Sequence, residues 1–271
     1  MRADEISSHR ISRRALAYVL FRKIFMSADY VLKFPCEVRK DIPEEKLVVL
    51  VGYMNLAEHL MKQIRQQDPS VSTDTILNKY EVHVSQTRPD GTRHQIPMTI
   101  LELLKAAQPI REYRAHCNDC RANISDTAFG CIAKINYPIR SEVEEWLLRR
   151  LPDDVNDPEL ATLFRFLSDL DIDGAHVDAS RSNIFELQQG LVRRWGSGSQ
   201  QKQISSSQLI HMLLFGGDIA PPQANLYTRL LGLSTVLSEA HPPSSNIEQF
   251  KTFMCATVMA GRLNARISVD Y

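Results

Sequence analysis

The sequence predicts an α+β protein: a small N-terminal sheet with a hairpin and a cysteine-rich loop, followed by a mostly helical C-terminal half. Three observations carry that expectation. Apolar and polar residues alternate in two short stretches before residue 100, three cysteines fall within residues 117–131, and beyond about residue 151 apolar residues recur at helical spacing. With 44% hydrophobic and 24% charged residues, the composition is that of a chain that folds. At 271 residues two parts are expected, because single cores stop growing near about 250–300 residues.

Residues 1–25 read as a basic amphipathic extension. Ile11 to Phe25 contains Arg13, Arg14, Arg22 and Lys23 and no acid, and Met26 resembles a natural start. Such a segment suits a transit-like helix, a basic surface helix or an upstream extension with no part in the site. A Cys-rich α+β part is expected over 26–140, where the composition shifts, and a helical part over 141–271.

Within 26–140, Tyr30, Leu32 and Phe34 alternate with Val31 and Lys33, and Pro35 ends the run, which predicts a strand stopping beside Cys36. Pro43 precedes Leu47, Leu50, Val51, Met54, Leu60 and Ile64 at helical spacing, which predicts a long helix over 44–67. Tyr80, Val82 and Val84 alternate with polar residues, Arg88-Pro89-Asp90-Gly91 supplies a turn, and 92–96 forms the return strand. Thr99 and Glu102, Ser141 and Glu144, and Ser245 and Glu248 have capping-box spacing, and each predicts a helix start.

The helical half is expected to hold helices over 160–167, 185–195, 208–215 and 223–231. Pro221-Pro222 suits a start, and Gly216-Gly217 and Gly232 suit stops. The last helix should bury Ile247, Phe250, Met254 and Val258, with Cys255 in the core. Residues 196–207, rich in Gly, Ser and Gln, read as a mobile loop or hinge. Trp195 is expected to pack at a helix end, with Arg193 and Arg194 complementing its dipole.

The chemistry concentrates in His116-Cys117-Asn-Asp-Cys120 and Gly130-Cys131. A two-residue gap between Cys117 and Cys120 lets the chain turn so that both sulfurs face one ion, and Gly130 relieves crowding where a third ligand would enter. Structural zinc needs four ligands. Cys36, at the strand end, is the first choice for the fourth, ahead of His116 and of His83 or His94 on the hairpin. The same Cys36, Cys117, Cys120 and Cys131 would also suit an iron-sulfur cluster, although the spacing differs from packed ferredoxin runs. A redox dithiol normally opens a helix after a strand, and Asp119 would raise the thiol pKa, which counts against it. A nucleophile pair of Cys131 with His116, or of Cys117 with a distant His, and ordinary reduced thiols in a polar loop complete the alternatives.

Other signals are weaker. Asp169, Asp171, Asp173 and Gly174 resemble the start of a calcium loop, but Ser180 stands where the bidentate acid belongs, so a helix C-terminus running into a turn, with Leu170 and Ile172 buried, accounts for them better. Arg111, Arg114 and Arg121 bracket the cysteines, yet Glu112, Asp119 and Asp126 dilute them. Equal numbers of basic and acidic residues, 32 each, give no support for a nucleic-acid partner. The longest apolar runs, such as Leu47-Val48-Val49-Leu50-Val51, are far short of the ~20 residues of a membrane span. Five cysteines, an odd number, suit a reducing, cytoplasmic setting. No nucleophile elbow, Walker loop, dinucleotide fingerprint or His-Glu-x-x-His helix occurs. The expected function is that of a zinc-binding module with a protein partner; an iron-sulfur protein, or an enzyme using a reactive cysteine or metal-bound water, is the alternative.

Overall fold

The computed structural model describes residues 27–87, 92–136, 139–174, 176, 190–214, 220–230 and 246–270. In chain order its elements are β1 (Ser27–Lys33), α1 (Val38–Asp41), α2 (Glu44–Gln67), α3 (Thr73–Lys79), β2 (Glu81–Thr87), β3 (Arg93–Thr99), α4 (Ile100–Ala106), α5 (Gln108–Arg111), a 3-10 turn (Glu112–Cys117), β4 (Ile132–Asn136), α6 (Ser141–Arg150), α7 (Pro158–Asp169), β5 (Val192–Trp195), β6 (Lys202–Ser205), α8 (Ser206–Leu214), α9 (Pro221–Leu230), α10 (Asn246–Leu263) and β7 (Arg266–Asp270). The class is α+β, as the sequence predicts. No helix among the described residues is long and apolar enough to cross a membrane.

Contacts group Val49–Arg111 into one unit and Phe25–Val48 with Glu112–Tyr271 into another. This grouping differs from a boundary near residue 140, because β7 pairs with β1 and so joins the two ends of the second unit in one sheet.

In the first unit, β2 and β3 pair antiparallel with Val82 opposite Met98 and Val84 opposite Ile96. That apolar face packs with Ala57 and Leu60 of α2, Ile76 of α3, and Ile100 and Leu103 of α4. The return strand runs on to Thr99, past the expected end at residue 96, and the turn residues 88–91 lie outside the described residues. The Thr99 capping box forms in both directions: the Glu102 carboxylate accepts from Thr99 N–H at 2.7 Å and Thr99 Oγ1 accepts from Glu102 N–H at 3.2 Å. A cap of this kind is worth about 1 kcal/mol.

Gly52 sits in the interior of α2, and a Cβ there would meet nothing within 4 Å. Gly52→Ala is therefore expected to raise stability by about 0.5–1 kcal/mol through unfolded-chain entropy. A raised urea midpoint would register the gain; a lowered one would mean that the site is more crowded than its geometry.

In the second unit the strand order is β4-β1-β7, all antiparallel. Alternation along β1 puts Ala28, Tyr30 and Leu32 on one face, opposite Ile135, Ala133, Ile267 and Val269. Helix α10 packs against all three strands. Its Phe253 meets the Tyr30 ring edge-on at 5.1 Å and neighbours Phe250. Phe250, Met254 and Val258 are buried as expected, while Ile247 and Cys255 are only half-buried. Each fully buried large side chain contributes roughly 1.5–3 kcal/mol. Of the third predicted capping box, Ser245 lies outside the described residues.

Several expectations need correction. Ser141 already lies inside α6, whose cap position is Arg140 without a side-chain cap, so the second capping box does not form. Its Glu144 turns inward and accepts from Ser206 Oγ at 2.7 Å, a tertiary partner that outcompetes the local one. Residues 192–195 form a strand instead of a helix end, and 196–207 are not a loop: β5 returns through Gly196 and Gly198, both at positive φ, into β6 and the start of α8. The remainder of the helix expected over 185–195 falls largely outside the described residues, as do Gly216-Gly217 and Gly232.

Arg193 nevertheless meets a helix dipole, that of α6. Its Nη1 donates to Leu148 O at 2.7 Å and Leu151 O at 2.6 Å, Nη2 pairs with Asp153, and the guanidinium lies over the Trp195 ring. At the end of α7, Ile172 N–H reaches Leu167 O at 2.9 Å across Asp171 at φ 54°, which makes the aspartate run a helix C-terminus. Leu170, expected to be buried, is 45% exposed there.

Candidate metal centre

The antiparallel pairing of β1 with β4 sets the site. Val31 faces Ile132, so the end of β1 and the start of β4 lie at the same edge of the sheet. The ladder continues one step further, where Leu32 N–H donates to Cys131 O at 2.9 Å. Cys36 follows β1 by three residues and Cys131 immediately precedes β4, so register alone sends both towards one end.

The loop 117–131 folds back onto that end. Cys120 N–H donates to Cys117 O at 3.3 Å, the turn expected of Cys-x-x-Cys. Asn123 staples the loop: its amide donates to Cys117 O at 3.1 Å and Thr127 O at 3.0 Å, and its side-chain oxygen accepts from Gly130 N–H at 2.8 Å. Each such bond contributes about 1 kcal/mol. Phe129 N–H then donates to the Cys117 sulfur at 3.2 Å in buried surroundings, carrying Cys117 to within two residues of Cys131. An N–H aimed at sulfur stabilises a thiolate, whether free or metal-bound.

Phe129 adopts φ 65°, an unfavourable region for a residue with a Cβ. Burial of its ring to 2% exposure offsets that strain. Gly130 shows why no side chain follows: a Cβ would stand 2.1 Å from Ser125 Oγ and 2.7 Å from Ser125 N. A further tie joins the turn leading into Cys117 to the helix that follows Cys36, where the Tyr113 hydroxyl donates to Asp41 Oδ2 at 2.8 Å.

The thiols respond to their surroundings and to one another. Burial pushes Cys131 up to about 12, the Arg39 guanidinium pulls it back, and Cys120, Cys36 and Cys117 add to the rise. Burial also raises Cys117, the Phe129 N–H lowers it, Cys120 and Cys36 raise it further, and Arg114 lowers it. Thiols held protonated in this way are poor nucleophiles, which weighs against a reactive Cys131 or Cys117. Tyr30, fully buried and with no hydrogen-bond partner for its hydroxyl among the described residues, is raised above its ordinary value, first by burial and then by Cys255 and Cys131.

The β1–β4 register sends Cys36 and Cys131 towards one end of the sheet, Phe129 N–H ties the Cys117 sulfur close to Cys131 in the chain, and Cys120 follows by its turn from Cys117. Among the described residues, however, no three His, Cys, Asp or Glu side chains stand close enough together to form a metal-holding group. His116 is exposed, with its ring 6.0 Å from that of Tyr113, and His83 and His94 belong to the hairpin of the first unit. Of the three bracketing arginines, Arg114 acts on the Cys117 thiol, lowering it. Sequence reasoning missed Arg39 and Asn123, which bond to backbone and so leave no motif.

An open groove of about 410 Å³ on α2, lined by Glu58, Met61, Lys62, Arg65 and Gln66, contains no thiol. Comparison of the chain with protein-family models, with curated proteins and with solved structures finds no match.

Proposed function

We propose that this chain is a zinc-binding protein in which Cys36, Cys117, Cys120 and Cys131 hold a structural ion, and that it acts as a non-enzymatic binding or regulatory module for a protein partner. The observation that carries the reading is the β1–β4 register, which delivers Cys36 and Cys131 to the same sheet end while Phe129 N–H holds the Cys117 sulfur there. Four thiolates are a complete donor set for zinc, with no coordination position left for water. That favours a structural over a catalytic ion. Binding would displace the thiol protons and draw the four sulfurs together, so metal affinity should fall as pH drops.

Elemental analysis with an absorption spectrum, on protein purified without oxygen or chelator, tests the reading. About one zinc per chain and a colourless spectrum are expected. Iron with visible absorption would transfer the same four cysteines to an iron-sulfur cluster. Protein that carries no metal and takes up none would overturn the proposal.

A further inference from the structure

The sheet β4-β1-β7 has two edges, and the chain treats them differently. Leu32 N–H donating to Cys131 O at 2.9 Å fixes the phase of the ladder. Ala28, Tyr30 and Leu32 turn their main-chain groups towards β4, and Asp29, Val31 and Lys33 turn theirs towards β7. On the far side of β4, the N–H groups of Ile132, Lys134 and Asn136 therefore point outward. Phe129 O accepts the first at 2.9 Å, Gln249 Oε1 accepts the last at 3.0 Å, and Lys134 supplies a charge between them. On the far side of β7 the outward groups are those of Ile267 and Val269, and no strand or hydrogen bond among the described residues meets them.

The charges along β7 point the same way. Register sets Arg266 opposite Lys33 and Asp270 opposite Asp29, two like-charge pairs in one short ladder, an arrangement that costs stability. Glu44 answers Lys33 and Lys134 answers Asp29, and neither answer comes from β7. The strand itself reads Arg266-Ile267-Ser268-Val269-Asp270, basic at one end, acidic at the other, with its apolar residues symmetric about Ser268. Antiparallel to a copy of itself, it sets Arg266 opposite Asp270 twice and Ile267 opposite Val269 twice. Strand β4 in the same arrangement would set Lys134 against Lys134.

We propose that β7 is a docking edge for a second copy of this chain: two β7 strands pair antiparallel about a two-fold axis at Ser268, joining two three-stranded sheets into one of six strands. The N–H and C=O groups of Ile267 and Val269 form the new ladder. Arg266 and Asp270 fall at its non-hydrogen-bonded positions, where side chains across a ladder are closest. Ile267 and Val269 lie on the face that α10 covers, so their pairing continues the apolar face from one copy into the next. Five residues a side make a small contact, so the dimer is weak and concentration-dependent. It needs no ion and no thiol.

Sedimentation velocity over a range of protein concentrations reads the association. The wild type should move from one chain towards two as concentration rises. Arg266→Glu or Asp270→Arg alone turns both cross-copy pairs into like ones and should weaken association by about tenfold or more. Each substitution also turns a like pair within the β1–β7 ladder into an opposite one, so neither works against the strand. An equal mixture of the two variants restores opposite charges at both contacts and should associate as the wild type does, which misfolded protein could not do. A wild type that stays a single chain throughout overturns the proposal. So does association untouched by either substitution, which would put the contact elsewhere on the molecule, and so does a mixture that remains dissociated.

Discussion

Cys117→Ser and Cys120→Ser should each destabilise the second unit by on the order of 4 kcal/mol or more, or prevent its folding, and abolish zinc retention. The loop 117–131 is held by a few hydrogen bonds of about 1 kcal/mol each. A bound ion would contribute much more than these, and losing one thiolate forfeits most of that. Cys117 carries a second penalty, since its sulfur accepts the buried Phe129 N–H. The control is Cys255→Ser on α10, half-buried and outside the loop, which should retain zinc and shift stability by less than about 1 kcal/mol. Urea unfolding followed by circular dichroism, with and without chelator, compares the three. Wild-type unfolding of both Cys117→Ser and Cys120→Ser would sink the structural-metal reading.

Gly130→Ala should cost about 2–3 kcal/mol and weaken zinc retention without removing any thiol. The added Cβ would stand 2.1 Å from Ser125 Oγ and 2.4 Å from Asn123 Oδ1. Ser125 Oγ can rotate, but Asn123 Oδ1 accepts Gly130's own N–H, and the third contact, Ser125 N at 2.7 Å, is main chain. The loop must therefore open at its staple. Gly130 is not among the positive-φ glycines, so the cost is steric, and Gly130→Ser should be at least as damaging. Thermal melting with zinc content measured on the same samples checks this; an unchanged melt for the alanine variant would show that the loop yields freely.

How far the sequence reveals this molecule depends on whether the decisive partner of each residue is near or distant. The Thr99 capping box forms as read because both members face solvent and have no competitor, whereas Glu144 has the same spacing and is taken by Ser206, more than sixty residues away. Helix α2 is legible to its ends because Pro43 and a long apolar periodicity define it locally. Strand β5 is not: Arg193 and Arg194 occupy half of it, and the ties that hold Arg193 in place run to the end of α6. In β7, Ile267 and Val269 do alternate, but five residues after a helix give a weak signal. At the site, the Cys117-Cys120 turn and the crowding at Gly130 can be read from spacing. The register that brings Cys36 towards Cys131 is a pairing across the fold, and sequence supports it only by noting that a strand ends there.

The strand order β4-β1-β7 also imposes a timetable. Leu32 faces Ile267 across the ladder, more than two hundred positions later in the chain, so β1 emerges from the ribosome long before its second neighbour exists. At roughly 5–20 residues per second, that edge stays open for on the order of ten seconds or longer. Pairings of such long sequence separation also make for slow refolding. During the wait, Asp29 and Lys33 along β1 supply the charges that discourage pairing with a foreign strand. Synthesis of this protein thus includes an interval in which its central strand is guarded by charge alone.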